Sequence, residues 1–462
     1  MRKLIAIFVG KIIRFVGKLV KRGSSLPGQI ALMIDPKILS KITLPKYVIA
    51  VTGSNGKTST VEMIRQVLVN NGLKVAFNYE GSNQIEGVTT LILDDASFSG
   101  KCRSDVVLME SDERYARHTF KQIKPTHYVI TNIYRDQMTR NGNPEVIFGC
   151  IKDSVYPESK LILNADDPLV TLLGDGHDDN VYFSINQYRK EDYIGVYDDG
   201  AYCPKCKNKM KYFYHHFGSS GNFVCDSCGF THKDAKYRIT DVNLDEGQLT
   251  IDDDYRIKLQ LKSIYNAYNI LAAYSIAREL GIEPESIVNS LNDYVLKNGR
   301  VTEFKLNNAD GVLLISKHEN STSYNQTLTV IKNDSRNVSV LVLVDAISRK
   351  YFTSETSWLW DIDFDLLNSD NVKNIVLCGL YASDLAERFL YTSIDQKKIY
   401  VEKNIDNAFE YLQNNSNDYI YAVTCFSDMA KVFSRVEVKK WKFFIYTMIF
   451  WIYMVNMEMF VV

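Results

Sequence analysis

The segment Thr52-Gly53-Ser54-Asn55-Gly56-Lys57-Thr58 joins the residue types that hold a polyphosphate. Backbone N–H groups from Gly53 to Lys57 can converge on phosphate oxygens where a helix begins. Lys57 would reach the β- and γ-phosphates, and the Thr58 hydroxyl would coordinate Mg²⁺. With Ser59, these residues form a candidate site for a nucleoside triphosphate, read here as ATP. Only Ser54 and Asn55 separate the two glycines, where the common phosphate loop has four residues between them.

A second chemistry lies in Cys203-Pro204-Lys205-Cys206 and Cys225-Asp226-Ser227-Cys228. Two such knuckles supply four thiolates for a tetrahedral Zn²⁺. Four protein ligands leave no open position, so the zinc would be structural. Neither knuckle opens a helix in a βαβ setting, which argues against a redox pair. Cys102, Cys150, Cys378 and Cys425 are scattered, so the cysteines form no disulfide framework and suit a reducing compartment. The net charge of −1, with Lys207, Lys209 and Lys211 as the only basic cluster of the insert, argues against a nucleic-acid partner.

These groups need elements to hold them. Tyr47–Val51 is a short β-rich run before the phosphate loop, and Ser59–Asn70 has helical spacing after it. Asp105–Met109, His127–Ile130 and Leu161–Leu163 are further apolar runs, as expected of buried parallel strands. Alternation of strand and helix predicts an α/β domain. The runs end in Glu110, in Thr131-Asn132, and in Asn164 with Asp166 and Asp167. In open α/β sheets, ligands sit beyond the carboxyl ends of the strands, where these polar groups cluster. A second α/β unit starts near residue 311, with runs Val338–Val344, Ile375–Cys378 and Tyr419–Thr424. Asn298-Gly299 reads as a turn near the boundary. The chain of 462 residues is too long for one ordinary core. The predicted division is a basic amphipathic segment 1–40, an ATP-binding central domain 41–300 with the zinc insert at 200–232, a smaller C-terminal α/β domain 301–440, and an apolar tail 441–462.

Both termini carry unusual patterns. Ile5, Phe8, Val9, Ile12, Val16, Leu19 and Val20 share one face of a helix over residues 4–20, and Lys11, Arg14, Lys18 and Lys21 share another. Such a helix lies on an anionic membrane surface, or packs on its own domain with a solvated basic face. Interrupting charges exclude a secretory signal. From Phe443 to Val455 nearly every residue is apolar, but the run reaches spanning length only by including Asn456 and Glu458. A membrane anchor and a buried terminal segment both fit it.

The shortened loop Thr-Gly-Ser-Asn-Gly-Lys-Thr-Ser resembles that of the Mur ligase family, which activates a carboxylate with ATP as an acyl phosphate for attack by an amine. Glu110, in Glu-Ser-Asp-Glu, resembles the family's Mg²⁺-binding glutamate. Tyr265-Asn266-Ala267-Tyr268-Asn269 is similar to its Asn-x-x-Asn helix beside the adenine, which makes Asn266 a candidate ATP contact. Gly299-Arg300 is similar to its Gly-Arg pair, whose arginine contacts ATP phosphate. The zinc insert points further, to the MurT subunits of lipid II isoglutaminyl synthases. Ser25-Leu26-Pro27-Gly28-Gln29-Ile30-Ala31, Thr131-Asn132-Ile133-Tyr134-Arg135-Asp136-Gln137 and Ser357-Trp358-Leu359-Trp360-Asp361 resemble segments of that group. Three positions depart from it. Glu355 stands where an aspartate completes the partner's Cys-His pair, Tyr351-Phe352-Thr353 replace an Ala-Asp-Gly, and Lys317-His318-Glu319-Asn320 replace a Lys-Asn-Pro segment.

This resemblance implies a Mur ligase-like α/β fold and a heterodimer with a GatD-type glutaminase. It implies ATP, Mg²⁺ at Thr58 and Glu110, and catalytic roles for Lys57, Glu110 and Glu355. The implied reaction amidates the α-carboxyl of D-glutamate in the lipid II stem peptide to D-isoglutamine, in the bacterial cytoplasm at the inner membrane face. Two alternatives stand beside it. One is a Mur-type ligase that adds an amino acid; the other is an ATP-binding scaffold or regulatory protein with weakened catalysis.

Overall fold

Val48 and Ala50 face one side of strand Tyr47–Thr52 (β1), Ile49 and Val51 face the other, and all four are buried. A strand apolar on both faces belongs in the middle of a parallel sheet covered on both sides. In the computed structural model β1 lies between Val106–Glu110 (β3) and His127–Ile130 (β4), parallel to both. Residues 1–19, 25–78, 82–189, 193–295, 301–346, 355–416 and 418–438 are described. Val20, Lys21, Gly299, Arg300, Tyr351-Phe352-Thr353 and the 441–462 tail lie outside them.

The chain divides into two compact units, Met1–Leu296 and Lys297–Val462. The first is built on a nine-stranded sheet. Beside β1, β3 and β4 it holds Val75–Phe77 (β2), Lys160–Asn164 (β5) and Asn180–Ile185 (β6). A separate hairpin, Lys211–Phe217 (β7) and Ser220–Val224 (β8), precedes Tyr237–Asn243 (β9), Gln248–Ile251 (β10) and Tyr255–Lys258 (β11). The order is β11-β10-β9-β6-β5-β4-β1-β3-β2, parallel from β2 to β9 and antiparallel over β9–β11. The chain leaves β1 for the edge at β2, returns to β3, then crosses to β4 on the other side of β1. That reversal opens a crevice beyond the carboxyl end of β1.

Helices Lys57–Asn70 (α3) and Ile264–Glu279 (α5) bury Val61, Ile64, Leu68, Ala267 and Leu271 in the core on the Ile49 face. Helices Arg2–Leu19 (α1), Leu26–Ile34 (α2) and Ile85–Asp95 (α4) contribute Ala6, Ile7, Ala31, Val88 and Ile92 to the core on the Val48 face. The C-terminal end of α5 is fastened to the sheet through Glu279. Its carboxylate accepts from Lys160 Nζ at 2.7 Å, Lys236 Nζ at 2.6 Å and Tyr237 OH at 2.7 Å. Burial alone raises its pKa, but these donors outweigh burial and hold it at about 2.

The N-terminal helix packs on its own domain, but not with the basic face in solvent. Lys18 pairs with Asp94 at 2.9 Å, Arg14 approaches the same carboxylate at 3.6 Å, and Lys11 donates to the Asp94 carbonyl at 3.3 Å. Lys11 and Arg14 face the domain, Arg2 and Lys18 keep contact with solvent, and most of the large apolar side chains face outward.

The second unit carries a seven-stranded sheet, with Ala309–Ser316, Tyr419–Cys425, Val338–Leu343, Val372–Cys378 and Ile399–Glu402 parallel in that spatial order. Val301–Leu306 pairs antiparallel with Ala309–Ser316. Asp345, just past Val338–Leu343, accepts the Leu380 N–H at 2.6 Å and pairs with Lys431. It thereby ties together three strand ends of this unit.

Candidate functional site

The phosphate loop closes on the carboxyl end of β4. Ser54 N–H donates to the Asn132 carbonyl at 3.0 Å, and Asn55 N–H to Asn132 Oδ1 at 2.8 Å. Thr131 Oγ1 donates to the Asn55 carbonyl at 3.0 Å. The loop therefore takes its shape from β4 more than from itself. Its glycines are demanded by contact as well as by backbone angle. Gly53 has φ +139° and Gly56 φ +83°. A Cβ at Gly53 would stand 2.2 Å from Thr131 Oγ1, and one at Gly56 2.0 Å from Asn269 Oδ1. With only two residues between the glycines, the loop is tight enough that neither position tolerates a side chain.

Lys57 and Thr58 open α3 and both reach the carboxyl end of β3, at Glu113 and Glu110. Thr58 Oγ1 donates to Glu110 Oε2 at 2.8 Å. Glu110 ends β3 and is buried. Its backbone N–H donates to Asn78 Oδ1 at 2.8 Å, and Asn83 Nδ2 approaches Oε1 at 3.3 Å. A hydroxyl and a carboxylate oxygen this close form the hard-oxygen pair that suits Mg²⁺, which keeps several waters and takes few protein ligands. The residues therefore fit the ion.

Lys57 Nζ pairs with Glu113 Oε2 at 2.8 Å and donates to the Gly53 carbonyl. Burial lowers the lysine's pKa, but the carboxylates of Glu113, Asp136 and Glu110 outweigh it and hold the ammonium well above its usual range. Lys57 is thus a fixed positive charge within the loop. With the Ser54 and Asn55 N–H groups taken by Asn132, the cation and the N-terminus of α3 make the polyanion site.

The two cysteine knuckles meet. Each repeats one backbone design: Lys207 N–H donates to the Cys203 carbonyl at 2.9 Å, and Gly229 N–H to the Cys225 carbonyl at 2.9 Å. Cys203 N–H reaches the Asn208 carbonyl at 2.8 Å, and Cys225 N–H the Phe230 carbonyl at 2.7 Å. Lys207 and Gly229, at matching places, both have positive φ, +65° and +73°. The four sulfurs lie within 4.8 Å of one another, with Cys203–Cys228 at 3.7 Å and Cys206–Cys225 at 3.5 Å. A zinc with bonds of about 2.3 Å needs tetrahedral edges of about 3.8 Å. The cluster fits such an ion, and Met210, Phe223 and Phe230 pack around it.

From the knuckles the β7–β8 hairpin reaches back to the sheet. Gly221 N–H donates to the Asp166 carbonyl at 2.8 Å, His232 Nε2 meets Asp166 Oδ1 at 2.8 Å, and Tyr268 OH donates to Asp166 Oδ2 at 2.7 Å. Phe217, near the hairpin tip, lies 4.2 Å from the Tyr265 ring and 5.9 Å from Tyr268, both on α5.

Known proteins share this arrangement. The Mur ligase middle domain family matches residues 51–277, and the MurT ligase C-terminal family matches residues 318–429. The MurT subunit of lipid II isoglutaminyl synthase (glutamine-hydrolyzing) from Staphylococcus aureus is 31% identical over 412 residues, covering 88% of this chain and 92% of that protein. This chain belongs to the MurT family. It is an ATP-dependent ligase of the Mur type. The MurT subunit from Streptococcus pneumoniae is 29% identical over 440 residues, covering 93% and 96% of the two chains. In fold, the chain is similar to a pseudomurein peptide ligase type C from Methanothermus fervidus, with a TM-score of 0.67, 22% identity, and 87% and 80% coverage.

Within the MurT-matched C-terminal region, Glu355 is exposed and accepts the Ser357 N–H at 2.8 Å, capping the Ser357–Asp361 turn. The Ser357 hydroxyl, and then that backbone bond, hold its carboxyl below the usual range. Trp358 is buried beside Tyr324, ring centroids 5.5 Å apart. His318 Nε2 meets Ser427 Oγ at 2.8 Å.

The structure thus brings Gly53, Ser54, Asn55, Gly56, Lys57, Thr58 and Glu110 into one crevice and the four cysteines into another cluster. Ser59 follows on the first turn of α3. Asn266 is buried on the first turn of α5, where Nδ2 approaches the Leu261 carbonyl at 3.4 Å. It is Asn269 that lies against Gly56 of the loop, and its Oδ1 accepts from Thr60 Oγ1 on α3 at 3.3 Å. Glu113 and Asn269 lie within the Glu-Ser-Asp-Glu and Asn-x-x-Asn segments. Their spacing from Glu110 and Asn266 on the same segments was the available signal.

Proposed function

We propose that this chain is the synthetase subunit of a glutamine-dependent amidotransferase that converts the α-carboxyl of D-glutamate in the lipid II stem peptide to the amide of D-isoglutamine. The observation that carries this reading is that one chain matches both the Mur ligase middle domain and the MurT C-terminal family. The second match separates it from Mur ligases that add an amino acid.

A carboxylate is a poor acyl donor because it lacks a leaving group. Its oxygen attacks the γ-phosphorus of ATP, giving an acyl phosphate and ADP. Ammonia released from glutamine by a GatD-type partner then attacks the acyl carbon, phosphate leaves, and a proton passes to solvent. The N-terminus of α3, with Lys57, would bind and orient the triphosphate. Thr58 and Glu110 would hold Mg²⁺, which neutralises charge on the transferring phosphoryl group. Asn266 and Arg300 are proposed at the nucleotide. Cys203, Cys206, Cys225 and Cys228 would hold a structural zinc. Glu355 would stand toward the partner's Cys-His pair; its exposure supports a role at an interface. The reaction would run in the cytoplasm at the inner membrane face, where a lipid-anchored substrate is presented.

The deciding experiment combines the chain, a glutaminase partner, glutamine, Mg²⁺-ATP and lipid II. We expect ADP release coupled to amidation of the stem peptide. ATP binding without amidation would overturn this reading in favour of an ATP-binding scaffold, and incorporation of an amino acid in place of ammonia would favour the other alternative.

A further inference from the structure

An amphipathic helix normally buries its apolar stripe and leaves its charges in water. Helix α1 does the reverse. Of its large apolar side chains only Ile7 is fully buried, between the small residues Ala6 and Gly10. Gly10 permits the close approach, since a Cβ there would stand 2.9 Å from Leu93 Cδ1. The cations then fasten the helix: Lys18 and Arg14 to the Asp94 carboxylate, Lys11 to the Asp94 carbonyl, and Lys3 Nζ to the Ser99 carbonyl at 3.1 Å. Leu4, Phe8, Ile12, Phe15 and Leu19 recur at helical spacing along the outer side, with exposures between 46% and 70%. Phe98, 58% exposed, extends the stripe beside Phe8, ring centroids 6.5 Å apart.

A contiguous stripe of this kind marks an interaction surface. Charge decides among its occupants. The helix carries Arg2, Lys3, Lys11, Arg14 and Lys18 and no acid. Pairing with a second copy would bring two such cationic helices together with no acid on either. An anionic phospholipid surface accepts both the apolar stripe and the charge of Arg2 and Lys18, which stay exposed. Among the described residues, no helix is long and apolar enough to cross a membrane. A helix held flat against its own domain presents its stripe along the surface.

We propose that the Leu4–Phe8–Ile12–Phe15–Leu19 face of α1 docks the chain on an anionic phospholipid bilayer. This deepens the proposed function by naming the docking surface. Its test contains neither nucleotide nor lipid II, so its failure is separable from failure of the amidation reading. The full chain is sedimented with vesicles of phosphatidylglycerol and phosphatidylcholine, and with vesicles of phosphatidylcholine alone. We expect binding to the anionic vesicles, weakened by salt. A Phe8→Ser, Phe15→Ser chain should bind them at least about tenfold less, with an unchanged melting temperature because both rings are exposed. Equal binding by that variant would overturn the proposal. So would a dimer in light scattering that this variant dissociates, with no vesicle binding, since the stripe would then face a second copy. Vesicle binding that appears only in a chain ending at Val438 would also overturn it, assigning the stripe to the apolar tail.

Discussion

Tyr134 stands edge-on to Phe217, ring centroids 5.4 Å apart, and its backbone is bonded both ways to the Ser54 hydroxyl. Tyr134 therefore links the phosphate loop to the hairpin that lies between the cysteine knuckles. Such pairs contribute about 1 kcal/mol beyond the area they bury. Phe217→Ala should weaken ATP binding about fivefold by isothermal titration. A variant that binds ATP as tightly as the native chain, while losing stability, would restrict the hairpin to a structural role.

Lys57 and Glu113 form a buried pair, so removing one partner strands the other. Lys57→Ala should cost about 3–5 kcal/mol in urea unfolding as well as abolishing ATP binding. Adding Glu113→Gln should restore most of the stability and none of the binding. Recovery of ATP affinity in the double variant would show that Lys57 is not a phosphate ligand.

Metal analysis of the purified chain should find about one zinc per chain. Cys225→Ser should lose most of that zinc and lower the melting temperature, because Phe223 and Phe230 pack around the cluster. Full zinc content in Cys225→Ser would refute the four-thiolate site.

Glu279 ties α5 to β5 and β9, and its pKa in the fold is about 2 against an ordinary 4.5. A lowered carboxylate pKa stabilises the fold above the unfolded value, and that contribution fades as pH falls from about 4.5 toward 2. Glu279→Gln should therefore lower stability by about 1–3 kcal/mol at neutral pH. The gap from the native chain should narrow below pH 4.5 in parallel urea titrations. A gap independent of pH would mean that packing, not ionisation, accounts for the loss.

The strands were legible because buried parallel strands are short apolar runs, and the polar residues ending β3, β4 and β5 marked the crevice. The zinc knuckles were legible because their ligands are close in sequence. What escaped depends on distant partners. Asn269 reaches Gly56 only because α5 packs beside α3, which no local spacing reveals. The outward turn of the α1 stripe depends on Asp94, far along the chain. Helical periodicity separates an apolar side from a basic one but does not say which side faces the domain.

The zinc insert fills the link between β6 and β9, which pair in parallel. Parallel neighbours require a long crossover, and a helix usually provides it. Here the β7–β8 hairpin, flanked by the four cysteines, stands in for that helix and leads the chain to β9, β10 and β11. With a zinc at the four cysteines, assembly of the sheet would acquire an order: the strands around the phosphate loop would pair without metal, whereas the last three would wait for the knuckles to close. Zinc supply during synthesis would govern completion of the sheet, and backbone amides of β9–β11 would exchange with solvent sooner than those of β1, β3 and β4 in metal-starved protein.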